Sequence, residues 1–166
     1  MGTLLAFPII FILLVLQTTL FSQVTLLHGT VDLVLLWVAA WSLQKQVTSA
    51  WFWTILAAIA VAYITAIPWY VPVIVYPFIT IIAKWINKRV WQSPLLMMFL
   101  VTIISSIVSN GLSYVALALT GVAIPLKTGL VQVMIPSVLI NLLLALPVFA
   151  IARDTAQWVY PLEVVE

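Results

Sequence analysis

SPLLMMFLVTIISSIVSNGLSYVALALTGVAIPL, residues 93–126, contains no charged side chain. A second such run, Thr3–Leu27, lies near the start of the chain. A bilayer core of about 30 Å needs about 20 apolar residues at about 1.5 Å rise each, and both runs reach that length. The whole sequence is 66% hydrophobic and 6% charged over 166 residues. Burying such runs inside a soluble core would need far more polar surface than this composition supplies. The reading is an all-α integral membrane protein.

Composition removes several function classes. There is no cysteine, so disulfide frameworks, thiolate zinc sites and cysteine nucleophiles are absent. The net charge of +2 and the lack of a basic stripe argue against a nucleic-acid partner. The first span carries no Lys or Arg before it and no small-x-small cleavage site after it, so it is expected to be an uncleaved helix.

Hydropathy and breakers predict six transmembrane helices at 3–22, 30–44, 50–67, 70–87, 95–120 and 129–152, forming a single domain over residues 1–166. The connections are short: His28-Gly29-Thr30, Gln44–Thr48, Pro68-Trp69, Lys88–Ser93 and Gly121–Lys127. Pro94 suits a first helical turn. The second segment offers only Val31–Leu43, about 20 Å of helix, so it either spans with Lys45 snorkelling outward or is a re-entrant hairpin. Pro72 and Pro77 should bend the fourth helix or break its first turns.

Charge orients these helices. Lys45, Lys84, Lys88, Arg89 and Arg153 fall on one side and Lys127 on the other, which predicts a cytoplasmic C-terminus in a bacterial inner membrane. Six spans bring the N-terminus to the cytoplasm as well, whereas a re-entrant second segment leaves it outside. Trp37, Trp41, Trp51, Trp53, Trp69, Trp85, Trp91 and Trp158 lie mostly near predicted helix ends, as interfacial anchors do.

No catalytic constellation is legible. His28 is the sole histidine, in a Gly-flanked turn, so no histidine pair holds a metal and no triad base has a partner. The acids are Asp32, Asp154, Glu163 and Glu166, and none falls at mid-helix, which argues against a proton relay. Asp32 is expected to cap the second helix from the outer interface, with ligand or partner contact as the alternative. The expectation is a protein with no enzymatic activity, cofactor or metal.

The polar groups within spans are uncharged. Gln17, Thr18 and Thr19 fall in the outer half of the first helix, and Asn141 near the middle of the last. In the fifth helix Thr102, Ser106 and Asn110 recur at four-residue spacing beside Ser105, Ser109 and Ser113. These are adjacent ridges forming one small, polar face. Ala58, Ala62 and Ala66 give the third helix a thinner version. Small residues at this spacing let helices approach closely in lipid. The face serves internal packing, a docking groove for another protein's transmembrane helix, or a polar ligand pocket.

The sequence resembles the MreD family, the small membrane subunit of the bacterial rod-shape machinery. The likeness rests on size, span layout and local matches. Leu16-Gln17-Thr18-Thr19-Leu20 looks like the family's Leu-Gln-Thr/Ser pattern in the first helix. Asp32-Leu33-Val34-Leu35-Leu36 is similar to its Pro-Asp-Leu entry into the second, with Val31 where the family usually has proline. Pro136-Ser137 followed by Asn141 and Leu146-Pro147 is similar to its last helix. The third helix departs from the family: it is rich in alanine rather than glycine, and Ile67-Pro68-Trp69 follows it without the family's acid.

The resemblance implies a non-enzymatic scaffold for cell shape and peptidoglycan synthesis. Its implied partners are a bitopic MreC-like protein and, through it, MreB, RodA and PBP2, in contact with membrane lipids. The family's six-helix fold is thought to be similar to the substrate-binding subunits of energy-coupling-factor transporters. That kinship makes a small-molecule-binding transporter subunit the alternative function.

Overall fold

The computed structural model describes residues 2–19, 30–89, 93–122, 125, 127 and 129–161. The expected His28 turn, Trp91, Glu163, Glu166 and the side chain of Arg89 lie outside the described residues, as do residues 20–22 of the first predicted helix.

All regular structure among the described residues is helical: α1 (Ala6–Thr19), α2 (Leu33–Ser42), α3 (Ala50–Ile64), α4 (Tyr70–Arg89), α5 (Pro94–Leu119) and α6 (Ile135–Val159). A π-helical turn, Gly129–Met134, runs directly into α6. Local chemistry sets several of these limits. Ser93 and Pro94 open α5, where the missing proline N–H costs nothing. Gly121 closes it with φ of 88°, while the Val122 and Gly121 amides return to the Leu117 and Ala118 carbonyls at 3.1 and 3.2 Å. That paired closure needs a left-handed residue after the cap, which glycine adopts without strain. Pro77 and Pro147 lie inside α4 and α6 without ending them.

Three stretches are long and apolar enough to cross a membrane: Tyr70–Lys88, Pro94–Leu119 and Gly129–Val159, with mean hydropathies of 1.4, 2.0 and 2.3. They mark a membrane protein. The other three helices are apolar but shorter, and α2 differs most from expectation. It has only 10 residues, about 15 Å of helix or half a bilayer core. Every one of those residues is buried. A helix apolar on all sides is stable only when wrapped on all sides. Here α1, α3, α4, α5 and α6 all pack on it. Around this axis the contacts run α1 to α3, α3 to α4, α4 to α5 and α5 to α6, and among the described residues none joins α6 to α1.

The two ends of the bundle differ. Trp53 Nε1 donates to the Gly2 carbonyl at 3.1 Å, and Tyr160 Oη donates to Ser49 Oγ at 2.9 Å. A Cβ on Gly2 would collide with the Tyr160 phenol, so the residues before α1 and after α6 meet. Asn87 Nδ2 donates to the Leu43 carbonyl at 2.9 Å at the same end. Lys45 and Arg153 line one shallow pocket there, and Lys84 lies 5.6 Å from the Trp51 ring centre. Lys45, Lys84 and Arg153, three of the cations read onto one side, thus gather at one end of the fold, where the residues next to both termini also lie.

The tryptophans divide into two groups. Trp51, Trp69, Trp85 and Trp158 are exposed, as anchors require. Trp37, Trp41 and Trp53 instead form a buried stack, with ring centres 6.0 and 4.5 Å apart along the series 37–41–53. Anchoring is the wrong reading for these three. The wholly buried α2 carries two of them into the core, where rings of this size fill the space around a short helix.

Candidate functional site

A helix that starts inside a bundle must satisfy its first amide groups without water. The start of α2 does this with side chains from three helices. Asp32 Oδ1 accepts the Leu35 N–H at 2.9 Å, so the expected cap is present. Asn141 of α6 accepts the Asp32 N–H through Oδ1 at 3.1 Å, and its Nδ2 donates to Ser106 Oγ at 3.1 Å. Gln17 of α1 accepts the Val34 N–H at a longer 3.4 Å. Tyr76 of α4 adds its hydroxyl to Asp32 Oδ1 at 3.2 Å. Two residues before Asp32, Thr30 N–H donates to Ser137 Oγ at 2.8 Å, and that hydroxyl passes on to the Val133 carbonyl at 2.7 Å.

This network corrects the depth of Asp32. The sequence places it at the outer interface, with no acid near mid-bilayer. In the fold it sits beside Asn141 and near Ser106, halfway along the 26-residue α5. The reason is the length of α2: starting from the basic end, about 15 Å reaches only the middle of the bundle. Gln17, Asp32 and Asn141, three separate structural residues in the sequence, are parts of one cap.

Above that cap lies a cavity of about 910 Å³. Its walls come from the C-terminal ends of α1 and α3, the first half of α4, the second half of α5 and the π-turn leading into α6. The lining is mostly aliphatic, with Gln17, Asp32, Tyr76, Ser106 and Asn141 gathered among it. Below, α2 and the tryptophan stack fill the bundle to the basic end. The cavity is thus a dead end at mid-depth.

The small-residue face of α5 is split by this boundary. Thr102, Ser105 and Ser106 are fully buried in helix packing. The hydroxyls of Thr102 and Ser105 find no partner among the described residues, so these two act through size. Ser109, Asn110 and Ser113 stand on the cavity wall instead. Asn110 Nδ2 and Ser113 Oγ bond back to the Ser106 and Ser109 carbonyls at 2.8 and 2.7 Å. On α3, Ala58 is buried and Ala62 half-buried, but Ala66 is exposed beyond the helix end at Ile64. The expected alanine ridge stops one step short.

Sequence reasoning missed Tyr76, Thr30 and Ser137 as members of the network, and missed the buried hydroxyl contact of Thr54 with Thr80. The available signal was a polar atom set among apolar neighbours in the sequence. Among the described residues, no group of three or more His, Asp or Glu stands close enough to hold a metal ion. Comparison with family models, with curated proteins and with solved structures finds no match for this chain.

Proposed function

We propose that this chain is a non-enzymatic, multi-pass subunit of the bacterial plasma membrane, of the MreD type, with the basic end and both termini in the cytoplasm. In this reading it holds the single transmembrane helix of an MreC-like partner and through it serves the rod complex that shapes the cell and organises peptidoglycan synthesis. One observation carries the reading. The three short motifs behind the resemblance, around Gln17, Asp32 and Ser137–Asn141, meet in space at the start of α2. Motifs so far apart in sequence, joined at one junction, behave as parts of one folding unit.

The scaffold reading needs a seat for the partner helix. The small-residue faces of α3 and α5 point inward, and the cavity ends at mid-depth, so neither offers a groove running the height of the bundle. The break between α1 and α6 in the ring around α2 is the seat we favour. Ile12, on the flank of α1 away from the Phe7–Phe52 contact with α3, is 55% exposed, and Leu143 of α6 is 75% exposed. The test is co-purification of an MreC-like single-span protein. Ile12→Ala and Leu143→Ala should lower partner recovery while the melting temperature of the isolated chain stays unchanged. Failure of the unmodified chain to retain the partner would overturn the scaffold reading. Full retention by both variants would move the seat elsewhere.

The cavity favours a second reading, the substrate-binding subunit of an energy-coupling-factor-type transporter, because convergent polar groups in an otherwise apolar pocket are what small-molecule binding uses. Recovery of a transporter's ATPase subunits in place of an MreC-like protein would select it.

A further inference from the structure

The cavity above α2 has one carboxyl group on its described wall, that of Asp32. Asp32 Oδ1 is engaged by the Leu35 amide and the Tyr76 hydroxyl, while Oδ2 has no partner among the described residues. No Lys or Arg stands on the described wall to receive an anion. Around the carboxyl group the lining is aliphatic, with the rings of Tyr76 and Tyr114 among it. At about 910 Å³ the space is in the range used for small molecules. A spanning helix does not fit, because α2 and its tryptophans block the lower half of the bundle. A carboxyl group held this deep in an apolar surrounding favours occupants that bring it a donor or a positive charge.

From these features we infer that the cavity is a binding site for an ammonium-bearing amphiphile, its ammonium group on Asp32 and its apolar body against α4 and α5. The chemistry is shared by a free organic amine and by the headgroup of an aminophospholipid. The site rests on neither functional reading above.

The full chain in neutral detergent provides the test, with three indole probes of nearly equal shape: tryptamine, tryptophol and indole-3-acetate. Calorimetric titration should show the amine binding at least about tenfold tighter than the alcohol, the scale of one charge-assisted hydrogen bond, and no binding of the acid. Asp32→Asn keeps an oxygen for the Leu35 amide and should retain its melting temperature while losing the amine preference. Partition into the micelle is common to both proteins and cancels in that comparison. Native mass spectrometry then separates the sources. Phosphatidylethanolamine retained by the wild type and lost in Asp32→Asn assigns a lipid occupant, and amine binding without retained lipid assigns a free one. Equal amine affinity in both proteins, a preference for the acid, or no amine binding at all would overturn the inference.

Discussion

Replacing Asn141 with alanine removes one side chain that serves both a backbone amide and a hydroxyl at the centre of the bundle. Asn141 is 1% exposed, accepts the Asp32 N–H at 3.1 Å and donates to Ser106 Oγ at 3.1 Å. Interhelical hydrogen bonds inside membranes average about 0.6 kcal/mol, so two of them account for about 1.2 kcal/mol. The orphaned Asp32 amide adds about 1–3 kcal/mol if nothing replaces its partner. The sum is about 2–4 kcal/mol, a fall of about 4–16 °C in melting temperature for a domain of this size. Ser106→Ala loses only one of those bonds and orphans no backbone group, so it should cost about 0.6 kcal/mol. Thermal unfolding of both variants in the same detergent, followed by circular dichroism, measures the difference. Equal, small losses would mean that water from the cavity replaces Asn141 at the amide, and the argument for a dry cap would fail.

Other outcomes follow from the same structure. Asp32→Asn should cost less than about 1 kcal/mol in thermal stability, and Asp32→Leu about 1–2 kcal/mol more, because only the first preserves a cap acceptor. Ser105→Leu overfills a packed interface and should destabilise by about 1–3 kcal/mol, whereas Ser109→Leu extends into the cavity and should leave melting nearly unchanged. Trp41→Ala opens the buried stack and should cost about 3–5 kcal/mol, against a near-silent Trp158→Ala at an exposed site. Because the chain has no cysteine, single cysteines at the exposed positions 3 and 127 report topology cleanly. In intact cells a membrane-impermeant thiol reagent should label position 127 and spare position 3.

The long helices were legible because an unbroken apolar run of their length has few other uses. Pro94 and Gly121 fixed the limits of α5 through ring geometry and a left-handed φ, and both effects are local. The centre was not legible. Leu33–Ser42 is apolar on every side, and in a membrane chain that pattern is the same whether lipid or protein surrounds it. Its place as the axis of the bundle depends on five other helices, which no local period encodes. Trp37 and Trp41 were misread for the same reason, since proximity to a helix end says nothing about which face is covered. Among the site residues, Gln17, Asp32 and Asn141 were recognisable as unusual polar groups in an apolar chain. Their convergence was invisible because the 109-position separation of Asp32 and Asn141 is crossed only in space. On α5, four-residue spacing identified the correct face but not the depth at which packing gives way to cavity.

Everything central here depends on the approach to α2 meeting the start of α6 at mid-depth, and a single cross-link tests it. Thr30 Oγ1 and Ser137 Oγ are 3.2 Å apart. In the otherwise cysteine-free chain, the pair Thr30→Cys and Ser137→Cys should form an intramolecular disulfide in native membranes under mild oxidation, since side-chain tips that close are compatible with disulfide geometry. Thr54→Cys with Thr80→Cys, another contacting pair, serves as the positive control. Closure of both pairs is the predicted result. Closure of the control alone would contradict the junction on which the cap, the cavity and the proposed function stand.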